Sequence, residues 1–175
     1  MKILLIIGIV IAIPLVLAIF TKKEYQVEKK ITIRQPKINV FDYIRMLKNQ
    51  DNFSVWATMD PGMKKYYRGT DGHPGFVSGW ESQNKNVGKG EQEIKEVING
   101  ERIEYEIRFI KPFEAIARAA MKTDSVAQNE TLVTWQFDSR MNYPMNIMLL
   151  FMNIDKMVGN DLEKGLVNLK QVLEQ

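Results

Sequence analysis

The sequence predicts an α+β fold in which an antiparallel sheet wraps around a long C-terminal helix. Three observations carry this. Near the start, Tyr25, Val27, Ile31 and Ile33 fall on alternate positions, and a proline and a helical apolar pattern follow directly. In the middle, Ile103, Tyr105, Ile107 and Phe109 alternate without exception with Arg102, Glu104, Glu106 and Arg108, as in a strand with one wet face. At the end the period changes. Met145, Met148, Met152, Leu162, Leu166, Leu169 and Leu173 sit three and four apart, as on one helix face.

The elements follow in order. Tyr25–Arg34 is the first strand. Pro36 opens a helix whose Val40, Phe41, Ile44 and Leu47 share a face, and proline suits a first turn. Asn49-Gln50-Asp51-Asn52 ends it, and Phe53–Met59 forms a short helix or turn that buries Phe53 and Trp56. Strands are expected at Lys64–Arg68, Phe76–Ser82 and Gly88–Ile98. Asn99-Gly100, a strong hairpin signal, leads into the strand Glu101–Ile110. Lys111-Pro112 turns the chain into Phe113–Thr123, with Phe113, Ala115, Ala117, Ala119 and Met121 expected inward. Thr131–Asp138 closes a six-strand antiparallel meander. Pro144 marks the start of the last helix, expected to run about 30 residues, or roughly 45 Å.

Composition removes several function classes. The chain has no Cys and one His, which excludes disulfides, thiol catalysis and His-rich metal centres. Its 24 cations are interspersed with 21 anions, so no basic stripe points to nucleic acid.

Ile3 to Phe20 is an uncharged apolar run that would span roughly 27 Å as a helix, close to a bilayer core. Residues 1–21 therefore read as a single-pass membrane anchor, with a cleaved signal peptide as the competing reading. Lys22, Lys23, Lys29 and Lys30 follow the run and only Lys2 precedes it, so the positive-inside bias leans toward a cytoplasmic domain. Residues 22–175 form one domain, large enough for its own core.

Several phrases carry a family resemblance: KKITIRQPKINVFDYI at 29–44, NFSVWATMDPGMK at 52–64, GWE at 79–81, FIKPFEA at 109–115, and PMNIMLLFMNIDKMVGNDLEKGLVNLK at 144–170. With the element order, they resemble the START-like (SRPBCC, helix-grip) superfamily, in its polyketide cyclase/dehydrase-like branch. The resemblance implies a seven-stranded sheet gripping the C-terminal helix around an apolar cavity. It transfers no catalytic motif, since the superfamily includes carriers, receptors and cyclases.

Candidate ligand-binding residues are Trp56, Trp80, Tyr105, Phe109, Phe113, Ala117, Ala119, Trp135, Met148 and Met152. The small alanines leave space opposite the helix, and methionine adapts to varied apolar shapes. Glu81 and Asp155 are the candidate acid/base residues. Asp155 lies on the apolar stripe of the helix, where a charge needs a partner, and Lys156 or Lys85 would serve. Gly159 interrupts the same stripe. His73, in the glycine-rich TDGHPG, reads as an exposed turn. The sequence is thus read as a membrane-anchored domain binding a hydrophobic small molecule, lipidic or polyketide-like, with no cofactor and no metal. The alternatives are a cyclase or dehydrase using a cavity carboxylate, and a membrane-tethered protein-interaction module.

Overall fold

The computed structural model describes residues 12–175. Seven strands form one sheet: β1 (Glu24–Ile33), β2 (Lys64–Arg68), β3 (Val77–Glu81), β4 (Lys89–Ile98), β5 (Arg102–Lys111), β6 (Ala115–Ala127) and β7 (Glu130–Arg140). Their spatial order is β1-β7-β6-β5-β4-β3-β2, and every pairing is antiparallel. The meander of β2 to β7 is therefore as expected, and the first strand adds beside the last. Helices α1 (Lys37–Ile44) and α2 (Val55–Thr58) flank a 3-10 segment, Leu47–Asn52, and α3 (Ile154–Leu173) ends the chain.

Alternation fixes which face of the sheet is covered. Val27, Ile33, Ile94, Ile103, Tyr105, Ala119, Met121, Val133 and Trp135 are buried on the concave side with Val40, Phe41 and Ile44 of α1 and Leu162, Leu166 and Leu169 of α3. The outer face carries charge. There Arg108 holds Glu91, Glu93 and Glu106 at 3.1, 2.7 and 2.6 Å, and Arg68 joins through Glu91 at 3.0 Å. Opposite charges on neighbouring strands support the ladder beneath them.

The glycine-rich turn is structural. Gly69, Gly72 and Gly75 take φ of 85°, 76° and 86°, which side chains disfavour. Asp71 accepts the Leu47 and Lys48 amides at 2.7 and 3.1 Å and so caps the 3-10 segment. His73 is exposed in this turn, as the sequence indicated.

The C-terminal helix is shorter than expected. Met145–Leu150 is a separate 3-10 turn, and α3 begins only at Ile154, giving it 20 residues. Asn153 caps it by accepting the Lys156 amide at 2.9 Å. The earlier segment is held elsewhere. The fully buried Asn146 amide donates to the carbonyls of Ala18 and Thr21 at 2.7 and 2.9 Å. Ala18 is in the last turn of a helical segment at residues 12–20 and Thr21 directly follows it, where the helix's own hydrogen bonds have run out. Most of the predicted anchor, residues 1–11, lies outside the described residues. Among the described residues no helix is long and apolar enough to cross a membrane.

Candidate functional site

The concave face is sealed at one end and open at the other. At the sealed end Trp135 packs edge-on to Phe53 and Trp56, with centroids 5.7 and 6.2 Å apart. Gly165 of α3 admits the Trp135 ring, since a Cβ there would lie 2.7 Å from Cζ3. Tyr105 is fully buried, and burial pushes its phenol pKa up, with Gln50 opposing, so it stays protonated. Trp56, Tyr105, Ala119 and Trp135 thus belong to the packed core between sheet and helices.

The other end is different. Trp80 of β3 lies across Gly90 of β4, where a Cβ would fall 2.4 Å from its ring, and meets Phe109 of β5 edge-on at 6.2 Å. Its indole N–H donates to the Val87 carbonyl at 3.2 Å. The register places Gln92, Ile107, Ala117, Ser139 and Tyr25 in the next inward row. Trp80, Ile107 and Phe109 face inward yet remain half-buried, so nothing fully covers them. Ala117 beside them is buried and projects little. Trp80 and Phe109 thus form a partly uncovered apolar stretch of the inward face, the candidate wall of a ligand hollow.

Lys65 and Tyr67 of β2 frame one side. Lys65 reaches Asp51 at 2.8 Å and the Ala57 carbonyl at 3.0 Å, and the Tyr67 hydroxyl donates to Asp51 at 3.2 Å. The Trp-x-x-Met-Asp-Pro phrase is also structural. Trp56 packs on Trp135, and Asp60 accepts the Ser82 hydroxyl and the Gly62 amide, which hold its carboxyl below its usual pKa.

Three expectations change. Phe113 does not face inward: it is 79% exposed at the β5–β6 turn, because the paired strand begins only at Ala115, which lies opposite Phe109 on the inward face but is exposed at the strand's end. Met148 is exposed on the 3-10 turn. Met152 instead lines an apolar cleft of about 620 Å³ with Leu17, Phe20, Tyr25, Leu149, Leu150 and Ile154, away from Trp80 and Phe109. The partner of Asp155 is Lys29, at 3.2 Å, in place of Lys156 or Lys85. Lys29 sits in register with Trp135 on the inner side of β1 and passes beneath α3 where Gly159 leaves room.

The candidate acids are not in the hollow. The Glu81 carboxylate is exposed and pairs with Lys89 at 3.1 Å, and Asp155 is 69% exposed at its side chain. Among the described residues no group of three or more His, Asp or Glu side chains is placed to hold a metal ion. The outer sheet face has a groove of about 390 Å³, but Arg102, Glu104, Glu106, Arg118, Lys122 and Asp138 line it, which does not suit an apolar ligand. Sequence reasoning missed Ile107, although its parity on β5 marks it as inward.

A family model described as polyketide cyclase / dehydrase and lipid transport matches residues 24–174. The chain belongs to this family. The polyketide cyclase/dehydrase and lipid transport family thus covers the whole sheet and α3, and it stops at the apolar run. Solved structures agree in fold. A protein of Nitrosospira multiformis is 17% identical with a TM-score of 0.60, over 85% of this chain and 96% of that one. The Aha1 dimer from Colwellia psychrerythraea is 12% identical with a TM-score of 0.58, over 86% and 96%. The di-domain ARO/CYC StfQ of the steffimycin biosynthetic pathway is 7% identical with a TM-score of 0.62, over 87% of this chain and 51% of that one. At these identities the likeness is one of fold. A search of curated proteins finds no match.

Proposed function

We propose that this family member binds an apolar small molecule, lipidic or polyketide-like, in the hollow walled by Trp80 and Phe109, and does so at a membrane entered by residues 3–20. One observation carries the reading: Trp80, Ile107 and Phe109 face the concave side and stay half-buried. Large inward apolar groups without full cover are a site for apolar burial. The family supports the ligand class, and the apolar run supports the membrane. A binding role is favoured over catalysis because Glu81 and Asp155 are ion-paired and exposed.

Native mass spectrometry of the detergent-extracted chain, purified from its own cell, tests the ligand. A retained apolar compound that is lost in Phe109→Asp supports the reading. An empty wild-type chain, or a compound retained equally by Phe109→Asp, counts against it.

A further inference from the structure

The most exposed large apolar side chains gather at one end of the sheet, while Ile38, Val126 and Val167 are exposed singly elsewhere. Antiparallel pairing of Glu24 with Arg140, Ala117 with Ser139 and Lys89 with Lys111 puts four features at that end. They are the entry to β1, the exit of β7, the β5–β6 turn and the β3–β4 loop. The β5–β6 turn carries Phe113, 79% exposed, between Ile110 and Ile116, both also exposed. The segment after β7 carries Phe151, 82% exposed, with Leu150 and Met145. The entry to β1 follows Phe20, 84% exposed, the last residue of the apolar run. Trp80 and Phe109 open onto the same end, since Phe109 pairs with Ala115 next to the turn.

These tips are braced. Gly88 lies so close to the β5–β6 turn that a Cβ would fall 2.0 Å from the Lys111 carbonyl oxygen. Asn146 fastens the 3-10 turn before Phe151 to the end of the helical segment at residues 12–20. The apolar run and the apolar tips therefore share one side of the molecule.

We infer that this end of the domain lies on a lipid bilayer, with Phe113 and Phe151 immersed beside the apolar run, so that the hollow opens toward the membrane. The occupant of this surface is lipid because the run that leaves the domain here is itself long enough to enter a bilayer. Large apolar side chains at the level of Lys22, Lys23 and Lys111 match the make-up of an interfacial contact. The ligand then reaches Trp80 and Phe109 from the bilayer without crossing water. This rests on the reading that residues 3–20 enter a membrane.

The absence of cysteine makes the test direct. Val16→Cys, Phe113→Cys, Phe151→Cys and Gln128→Cys full-length chains are each labelled with an environment-sensitive fluorophore. They are reconstituted into phosphatidylcholine vesicles with and without a lipid-borne quencher. All four sites are exposed, so labelling leaves the core intact. Labels at 16, 113 and 151 are expected to shift to the blue and lose about half their emission to the quencher, as groups at acyl depth do. The label at 128, in the β6–β7 turn at the far end of the sheet, is expected to stay unquenched. Quenching at 16 alone overturns the inference while leaving the anchor reading intact. No quenching at 16 overturns both. Quenching at 113 and 151 by a second copy of the chain, seen as concentration-dependent self-quenching without the lipid quencher, makes the surface a dimer interface and overturns the inference.

Discussion

Lys29 Nζ lies 3.2 Å from Asp155 Oδ1, and the side chain reaches it by crossing α3 at Gly159. A Cβ on Gly159 would meet Lys29 Cε at 2.7 Å and Asp155 Oδ1 at 3.1 Å. The glycine and the aspartate, both out of place on an apolar stripe, are explained together by one lysine on a distant strand. The pair is partly exposed, so its own contribution is small. Its effect is to let a cation leave the inner side of β1 without an unpaired charge beneath the helix.

Two helical glycines should therefore respond differently to alanine. At Gly159 the obstructing atoms belong to the far end of a flexible lysine, which can swing away. Gly159→Ala is expected to change stability by less than about 1 kcal/mol, since alanine's helix preference offsets the displacement. At Gly165 the obstruction is the buried Trp135 ring, and Gly165→Ala is expected to cost about 1–3 kcal/mol. Denaturant titration of both variants in the same detergent decides it. Equal losses would disprove the lysine explanation.

The outer-face network makes part of the stability acid-labile. Burial alone raises the Glu91 carboxyl, but hydrogen bonds from Arg108 and Tyr66 outweigh it and hold it below 4.5. Hydrogen bonds from Arg108 and then Lys95 lower Glu93 likewise. A carboxyl depressed in the folded state stabilises above its unfolded pKa, and this is lost as pH falls through the folded value. Stability should therefore drop between about pH 5 and pH 3. Arg108→Gln should cost about 1–2 kcal/mol at neutral pH, discounted for partial exposure, and flatten that drop. Thermal unfolding across that pH range is the measurement, and an unchanged slope in the variant argues against the network.

Asn146→Ala should loosen the apolar segment from the domain. The Ala18 and Thr21 carbonyls lose their donor in a buried setting, at a cost of about 1–3 kcal/mol. Trypsin cleavage after Lys22 and Lys23 is expected to accelerate several-fold while the domain core stays protected. An unaltered cleavage rate means the amide does not hold the segment.

Along the C-terminal region the losses should divide at Asn153. Leu162→Ala, Leu166→Ala and Leu169→Ala remove fully buried side chains and should each cost about 2–5 kcal/mol. Met148→Ala, at an exposed position, should stay within about 0.5 kcal/mol. A large loss at Met148 would show that the 3-10 turn is packed in solution.

Probe titration separates a binder from an enzyme. Glu81→Gln, Asp155→Asn and His73→Ala should each leave the affinity for a naphthalene-type probe within about tenfold, or ~1.4 kcal/mol. Ala117→Trp should weaken it by more, because it fills space next to Ile107. A carboxylate variant that keeps probe binding but loses turnover of an identified substrate would favour the cyclase reading.

Much of the sheet was legible because its cues are local. The alternation of Ile103 to Phe109 needs no partner to be read, and Asn99-Gly100 specifies its hairpin alone, with Gly100 at φ 73°. The last helix misled for the same reason. The methionine spacing continues upstream of Ile154, yet Asn146 and Asn153 are taken by the apolar segment and by the α3 cap. Phe113 was misplaced because alternation was extended past the start of pairing at Ala115. The Lys29–Asp155 link spans 126 residues, beyond any periodicity, although Lys29 shares the odd parity of Val27 and Ile31. Of the candidate ligand residues, Trp80 and Phe109 meet at the hollow with Ala117 one row away. Packing into the core cluster separates them from Trp56, Tyr105, Ala119 and Trp135, and sequence alone does not report which inward residues the helices cover.

The pairing of β1 with β7 has a consequence for how the chain comes to be folded. β1 is synthesised first among the strands, and its ladder partner is synthesised last. That pairing closes a loop over about a hundred residues in one late event, and such a non-local contact slows folding. Until then the row of N–H and C=O groups on β1 has no mate, while β2 to β7 can zip by neighbouring hairpins. The order of birth thus leaves the first strand waiting, open to water or a chaperone, until β7 has been made.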